Sequence, residues 1–340
     1  MKTVPVEKAV GMILCHDITQ IIPGEFKGRK FAKGHVITEE DIPVLKSLGK
    51  DNIFVWDDRE GLVHENDAAV FLKDISMGEN LTFGEIKEGK ITFRAACDGL
   101  LKVDTDRLLK LNMLGEICFA TLRTNTPVRE GQAVAGERVI PLAIDQAKLD
   151  QAKEALGGEK IIRVVPMRHL TVGFVTTGNE VYYGRIQDKF GPILRRKIGA
   201  YGCTAAGQVI VPDDKEQEKA AIRSWLEKGV DMVLCTGGMS VDPDDLTPAA
   251  IRETGCEVIT YGTPVLPGAM FMLAYAPDGR PVMGLPGCVM HAKTTVFDLV
   301  LPRILAGERI TFEEMMEYGH GGYCWGCEEC HFPNCQFGKY

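Results

Sequence analysis

The chain has 340 residues, 45% hydrophobic and 25% charged, with a formal net charge of −8 at pH 7. At roughly 100–200 residues per domain this is globular composition for two or three domains, and the acidic balance argues against a nucleic-acid-binding face. No apolar run approaches the ~20 residues needed to cross a bilayer. The opening MKTVPVEKAVGMILCHD also lacks the apolar core and small-residue cleavage site of a signal peptide, so a cytoplasmic protein without membrane or nucleic-acid partners is expected.

Residues 1–57 read as a small α/β unit. In GRKFAKGHVITEEDIPVLKSLGKDNIFVW the sequence predicts a turn at Lys33-Gly34, a cap at Thr38 with Asp41 three residues on, a helix stopped by Gly49, and a strand from Ile53 to Trp56. Residues 58–165 read as a mixed α+β region of unassigned role. HENDAA starts a helix with Asn66 or Asp67 as cap, KITFRAACDGLLKVDTDRLLKLN gives strand, turn, strand and helix, and CFATLRTNTPVREGQAVAGERVIPLAI gives short β runs. DQAKLDQAKEALGGEK is a helix closed by Gly157 and Gly158.

From His169 the pattern becomes regular. LTVGFVTTG, TAAGQVIVPDD, DMVLCTGG and CEVITYG read as strands, separated by helices in FGPILRRKIGAYG, KEQEKAAIRSWLEKGV and TPAAIRETG. RPVMGLPG and a helix from about Met290 to Leu305 complete the set. Such alternation predicts a doubly wound α/β domain over 166–311, its sheet mostly parallel, with ligands at the carboxyl ends of the strands. The loops expected there are TTGNE, VPDD, TGGMSVDPDDLTP, TPVLPG and GLPG. Glycine turns offer N–H donors to anionic oxygens, and carboxylates beside them repel a phosphate unless a divalent cation such as Mg²⁺ intervenes. The composition therefore points to a phosphorylated ligand held with Mg²⁺.

In order and spacing these loops resemble the molybdopterin-binding domain shared by the MogA and MoeA proteins of molybdenum-cofactor synthesis. The resemblance implies molybdopterin or adenylylated molybdopterin as ligand. On the matching motifs, Thr177 and Gly178 lie in the T-G-[ND]-E loop, Asp213 or Asp214 matches the acidic pair, and Gly237, Gly238 and Ser240 form the phosphate cradle. Pro267, Gly268, Pro286 and Gly287 bracket the pterin, and Asp188 matches the aspartate of a Tyr-Asp-x-Asn motif. The catalytic set implied is Glu180, Asp214 and Asp245, the two aspartates positioning a divalent cation. Three positions depart from the pattern: Phe190 stands for the motif's Asn, Asp242 for a glycine, and Cys288-Val289 for Asn-Pro. The segment KFAKGHVITEEDIPVLKSLGKDNIFVW is similar to the one that precedes this domain in MoeA, whereas the β-rich domain that follows in MoeA has no counterpart.

The function implied is molybdate insertion into the ligand, acting as a transferase. The alternatives are a carrier or sensor that passes the cofactor to a recipient molybdoenzyme, and a nucleotide pyrophosphatase of the competence-damage type. Relatives of this domain assemble, so a homo-oligomer is expected.

Of eleven cysteines, seven (Cys15, Cys97, Cys118, Cys203, Cys235, Cys256 and Cys288) stand singly and read as small core residues. The other four, in a tail over 312–340, are Cys324, Cys327, Cys330 and Cys335, spaced C-x2-C-x2-C-x4-C. Clustered thiols point to a soft metal, zinc or an iron–sulfur cluster, and the tail is expected to be metal-binding.

Overall fold

The computed structural model describes residues 2–22, 24–55 and 61–339. The chain divides into two compact units, one formed by Met1–Ala96, Val103–Leu122 and Gly131–Arg163, the other by Cys97–Lys102, Arg123–Glu130 and Val164–Tyr340.

In the first unit, the opening α/β element is built much as its sequence suggests. Lys2–Pro5 pairs antiparallel with Asn52–Val55, and the helix Asp41–Ser47 lies between them in sequence. Asp41 Oδ2 accepts from Thr38 N at 2.9 Å and Thr38 Oγ1 at 3.0 Å, so the two residues are bonded, but the expected cap at Thr38 is not formed: the N-cap is Glu40, and the Thr38 hydroxyl is engaged with the Asp41 carboxylate rather than with a helix amide. The expected strand end at Trp56 lies outside the described residues. HENDAA does start a helix, Glu65–Ser76, but the cap is His64, whose Nδ1 accepts from Asn66 N at 3.2 Å, and not Asn66 or Asp67. Farther on, Lys90–Ala95 is the inner partner of both Leu81–Phe83 and Ala133–Val139 in a four-stranded antiparallel sheet.

The second unit is built on a six-stranded sheet. Its strands are β1 (Thr171–Thr177), β2 (Thr204–Val211), β3 (Met232–Thr236), β4 (Glu257–Tyr261), β5 (Met272–Tyr275) and β6 (Pro281–Leu285). The spatial order is β2-β1-β3-β6-β5-β4. Strands β2, β1, β3 and β6 run parallel, while β5 runs antiparallel to both β6 and β4. Residues of β3 and β6 are buried throughout, as expected for parallel strands covered on both faces.

Successive side chains of one strand enter different cores. Met232 and Leu234 of β3 join Phe174 and Met283 in one apolar cluster, while Val233 and Cys235 join Val175 and Val282 in another. That division is the signature of helices packed on both sides of a sheet. Helices α1 (Phe190–Gly199) and α4 (Val296–Leu305) serve the first cluster, and α2 (Lys215–Glu227) and α3 (Thr247–Glu253) the second. On α2, Glu218, Ala221, Ile222 and Trp225 form the buried stripe at helical spacing.

Two features differ from the sequence reading. MLAY forms the antiparallel strand β5, which the strand–helix alternation does not show. The helix expected from about Met290 starts at Val296, where Thr295 and Asp298 form a reciprocal capping box, and the preceding residues form instead a short 3₁₀ turn, Gly287–Met290; a further helix, Phe312–Glu317, follows in the tail.

Phe297, at the start of α4, is fully buried in the first cluster. Phe297→Ala is expected to lower unfolding free energy by about 3–5 kcal/mol, read as a shift of the urea midpoint with the slope unchanged.

Candidate functional site

The parallel strands deliver their carboxyl ends to one edge, and the antiparallel hairpin adds to it. Because β4 runs alongside the parallel set and β5 returns from it, the connecting segment 262–271 also lies at that edge. Gly237, Gly238 and Ser240 after β3, Pro267 and Gly268 in the β4–β5 connection, and Pro286 and Gly287 after β6 line one cavity of about 540 Å³. Asp245 supplies its carboxylate. Met239, Leu266, Ala269, Met270 and Cys288 complete the wall; of these only Cys288 stood out in the sequence.

The Gly-Gly turn is demanded by contact. Gly237 and Gly238 have φ of 85° and 55°, and a Cβ on Gly237 would stand 2.2 Å from the Thr177 carbonyl oxygen. The loops after β1 and β3 therefore meet backbone to backbone, a distance no side chain allows. Thr247 Oγ1 donates to the Gly237 carbonyl at 2.9 Å, and Tyr261 Oη reaches the carbonyls of Met239 at 3.1 Å and Ser240 at 2.9 Å. The turn is thus held from α3 and from the end of β4. Gly268, with φ of 133°, packs so closely on α4 that an added Cβ would be 2.6 Å from Val296 Cγ1.

The carboxylates separate into different roles. Asp245 Oδ2 accepts from Asp242 N at 3.0 Å, which closes the TGGMSVDPDD loop upon itself. Asp242, exposed, contributes its backbone to that closure. Asp213 accepts from Thr177 Oγ1 and from Asn179 N, each at 2.9 Å, tying the loop after β2 to the loop after β1. Asp214 caps α2, its Oδ1 accepting from Gln217 N at 2.9 Å. Glu180 is exposed in a single short turn of helix, Asn179–Tyr182. Asp188 accepts from Phe190 N and Gly191 N at 2.9 Å and from Gln208 Nε2 at 2.7 Å; Gln208 also donates to Thr176 Oγ1 at 2.9 Å. Thr177, Gly178, Glu180, Asp188, Asp213 and Asp214 therefore lie outside the lining of the cavity.

A buried carboxyl that the sequence reading passed over sits behind these loops. Glu218, 1% exposed, lies 3.1 Å by its Oε1 from Thr177 Oγ1, and its Oε2 is buried without a hydrogen-bond partner. Burial pushes its pKa up to about 7, against the pull of hydrogen-bonding threonines and with Asp213 and Asp214 adding to the rise. The same Thr177 hydroxyl reaches Asp213 and the Pro212 carbonyl, and its one proton serves a single acceptor at a time. A protonated Glu218 resolves the conflict by donating to Thr177, which then donates to Asp213. The only sequence signal was an acidic residue on the apolar stripe of an amphipathic helix.

The tail is pinned at both ends and its four thiols are free. Among the described residues, no group of three or more His, Cys, Asp or Glu side chains is placed to hold a metal ion. The expected metal site in the tail is thus not formed in this arrangement of the sulfurs, and neither is an all-protein Mg²⁺ cage. Seven cysteines were read as core residues; Cys15, Cys203, Cys235 and Cys256 are buried, Cys97 and Cys288 are partly exposed, and Cys118 is exposed. Cys118 alternates outward on a strand whose Ile117 and Phe119 face inward.

Residues 173–306 match a family model described as "Probable molybdopterin binding domain". The chain carries a domain of the MogA/MoeA superfamily. That family belongs to molybdenum-cofactor biosynthesis. Residues 3–57 match a second model, a domain of unknown function. A molybdopterin molybdenumtransferase of Synechococcus elongatus is 28% identical over 195 residues, 54% of this chain and 46% of that protein. A CinA-like protein of a Mycobacterium species is 31% identical over 156 residues, 38% of this chain and 37% of the other. The chain thus spans less than half the length of these curated relatives. Among solved structures, the molybdopterin biosynthesis enzyme MoaB of Thermus thermophilus aligns over 41% of this chain and 98% of its own, with 22% identity and a TM-score of 0.34. No helix among the described residues is long and apolar enough to cross a membrane.

The Glu218 carboxyl sets a pH dependence. With its folded value near 7 and an unfolded value near 4.5, its contribution to stability is complete below about pH 4.5 and is lost as pH rises through 7. The parent protein should therefore lose stability relative to Glu218→Gln between pH 5 and 8. Urea midpoints of the two proteins, measured side by side, should converge at the acidic end and separate at the basic end.

Proposed function

We propose that the cavity between the Gly-Gly turn and the Pro-Gly loops binds molybdopterin, free or adenylylated, as the binding step of molybdate insertion. The observation that carries this reading is the convergence of Gly237, Gly238, Ser240, Asp245, Pro267, Gly268, Pro286 and Gly287 on one cavity. Its volume of about 540 Å³ suits a small-molecule ligand. Met239, Leu266 and Met270 offer an apolar wall to a flat ring, while the bare backbone of the turn and Ser240 offer donors to a phosphate. Mg²⁺ is commonly held by one or two carboxylates together with substrate phosphates. Asp245 fits that partial donor set, and a cation bound there would offset phosphate charge. The chain's own residues then hold the phosphate at the turn, orient the ring between Pro267 and Pro286, and keep Asp245 in place through Asp242.

In this reading the protein is a cytoplasmic transferase, with molybdate as co-substrate and a homo-oligomer as the working form. A second reading, a carrier or sensor that hands the cofactor to a recipient molybdoenzyme, is favoured by one observation. Asp213 and Asp214 are occupied by loop and helix bonds, which leaves Asp245 as the single carboxylate of the cavity lining.

The test is calorimetric titration with molybdopterin and its adenylylated form, with and without Mg²⁺, following AMP release on adding molybdate. Molybdate-stimulated release supports insertion, and binding without release supports the carrier. Hydrolysis of ADP-ribose by the same protein would favour the pyrophosphatase alternative. Two aspartate variants sharpen the result. Asp245→Ala should abolish the Mg²⁺-dependent part of binding and any AMP release. Asp214→Ala should cost about 1 kcal/mol of stability as a lost helix cap while leaving both unchanged.

A further inference from the structure

The cysteine tail stands apart from the residues used above, yet it is built against them. Leu266 N donates to Gly322 O and Cys324 N to Leu266 O, each at 2.8 Å, so the start of the tail pairs with the very segment that walls the ligand cavity. At the far end Gly338 N donates to Gly321 O at 2.9 Å, and Phe337 is buried in the core beside Leu299. The intervening residues form a closed loop with both ends fixed. Cys324, Cys327, Cys330 and Cys335 all line one further cavity of about 540 Å³, with Trp325 and His331 also on its wall. Pro267 belongs to both cavities.

We propose that Cys324, Cys327, Cys330 and Cys335 form a thiolate site for a soft metal centre, zinc or an iron–sulfur cluster, and that loading this site is coupled through Leu266 and Pro267 to occupancy of the neighbouring ligand cavity. Four free thiols facing one space in a segment of twelve residues are a soft-metal donor set. Thr294 Oγ1 lies 3.1 Å from Cys330 Sγ, within hydrogen-bond distance, and against a thiolate the hydroxyl would be the donor, orienting that ligand from outside. The sulfurs are not yet gathered on a common point among the described residues, so loading must draw the loop inward. Metal binding and loop ordering are then one event. Because the backbone at Leu266 is bonded to the tail, that movement bears on the wall at Pro267, and by linkage each site alters the affinity of the other by the same factor. The metal site stands whatever the first cavity binds; the coupling rests on the molybdopterin reading.

The experiment uses the full chain, purified anaerobically, and measures zinc, iron and acid-labile sulfide per chain together with the visible spectrum. Zinc without visible absorption identifies the ion, and iron with sulfide and a sulfur-to-iron charge-transfer band identifies the cluster; either supports the site. Cys327 and Cys330 are exposed, so a Cys327→Ser/Cys330→Ser protein should fold and should lose the metal, whereas Cys118→Ser should keep it. Trp325, 80% exposed, reports loop closure by a change in fluorescence on loading that the double variant lacks. Absence of metal from the parent, or its retention by the double variant, overturns the site. Molybdopterin affinity should fall at least about fivefold on metal loss, the lower end of ordinary coupling. Unchanged affinity overturns the coupling. Metal present with no molybdopterin binding in any form leaves the site standing and overturns the ligand reading instead.

Discussion

The approach of the Gly237 backbone to the Thr177 carbonyl is the contact on which the carboxyl edge of the sheet depends. It brings the ends of two adjacent parallel strands into direct backbone contact, and every later element of the site is positioned from there. The turn presents Ser240 and Asp245 on one side. On the other, Thr177 gathers Pro212, Asp213 and Glu218 from the next loop and helix. A side chain at Gly237 would collide with that carbonyl and force the strand ends apart.

Charge at this edge is managed by burial as much as by pairing. Acidic residues crowd the loops, but most are already engaged: Asp213 by backbone and hydroxyl donors, Asp214 by its helix, and Asp188 by Gln208 and two amides. Desolvation raises the Glu218 pKa to about 7, which removes one negative charge from behind the site as pH falls below neutrality. Among the described residues, the cavity lining then carries one carboxylate, that of Asp245.

The tail extends the same architecture. It shares the core of the sheet domain through Phe337 and Tyr318 and bonds to the backbone of the β4–β5 connection at Leu266. Pro267 is the residue that the linings of the two cavities share.

The sheet domain and most of the residues that line the cavity are legible in residue order alone. Near-continuous apolar strands such as MVLCT and PVMGL require cover on both faces, and glycines at strand ends announce turns that side chains cannot make. The sequence also disclosed the contact between Thr38 and Asp41, since residues three apart are neighbours in any turn, although the helix is capped at Glu40 and not at Thr38. Which of the carboxylates lines the cavity depends on tertiary contacts. Asp213, Asp214 and Asp245 look alike in sequence, and what separates them is which backbone amides and hydroxyls lie nearby once distant loops have met. The same holds for Glu218 and for β5. A buried acid on a helix stripe and a strand that reverses direction both owe their place to neighbours far along the chain, and local residue pattern carries no record of those.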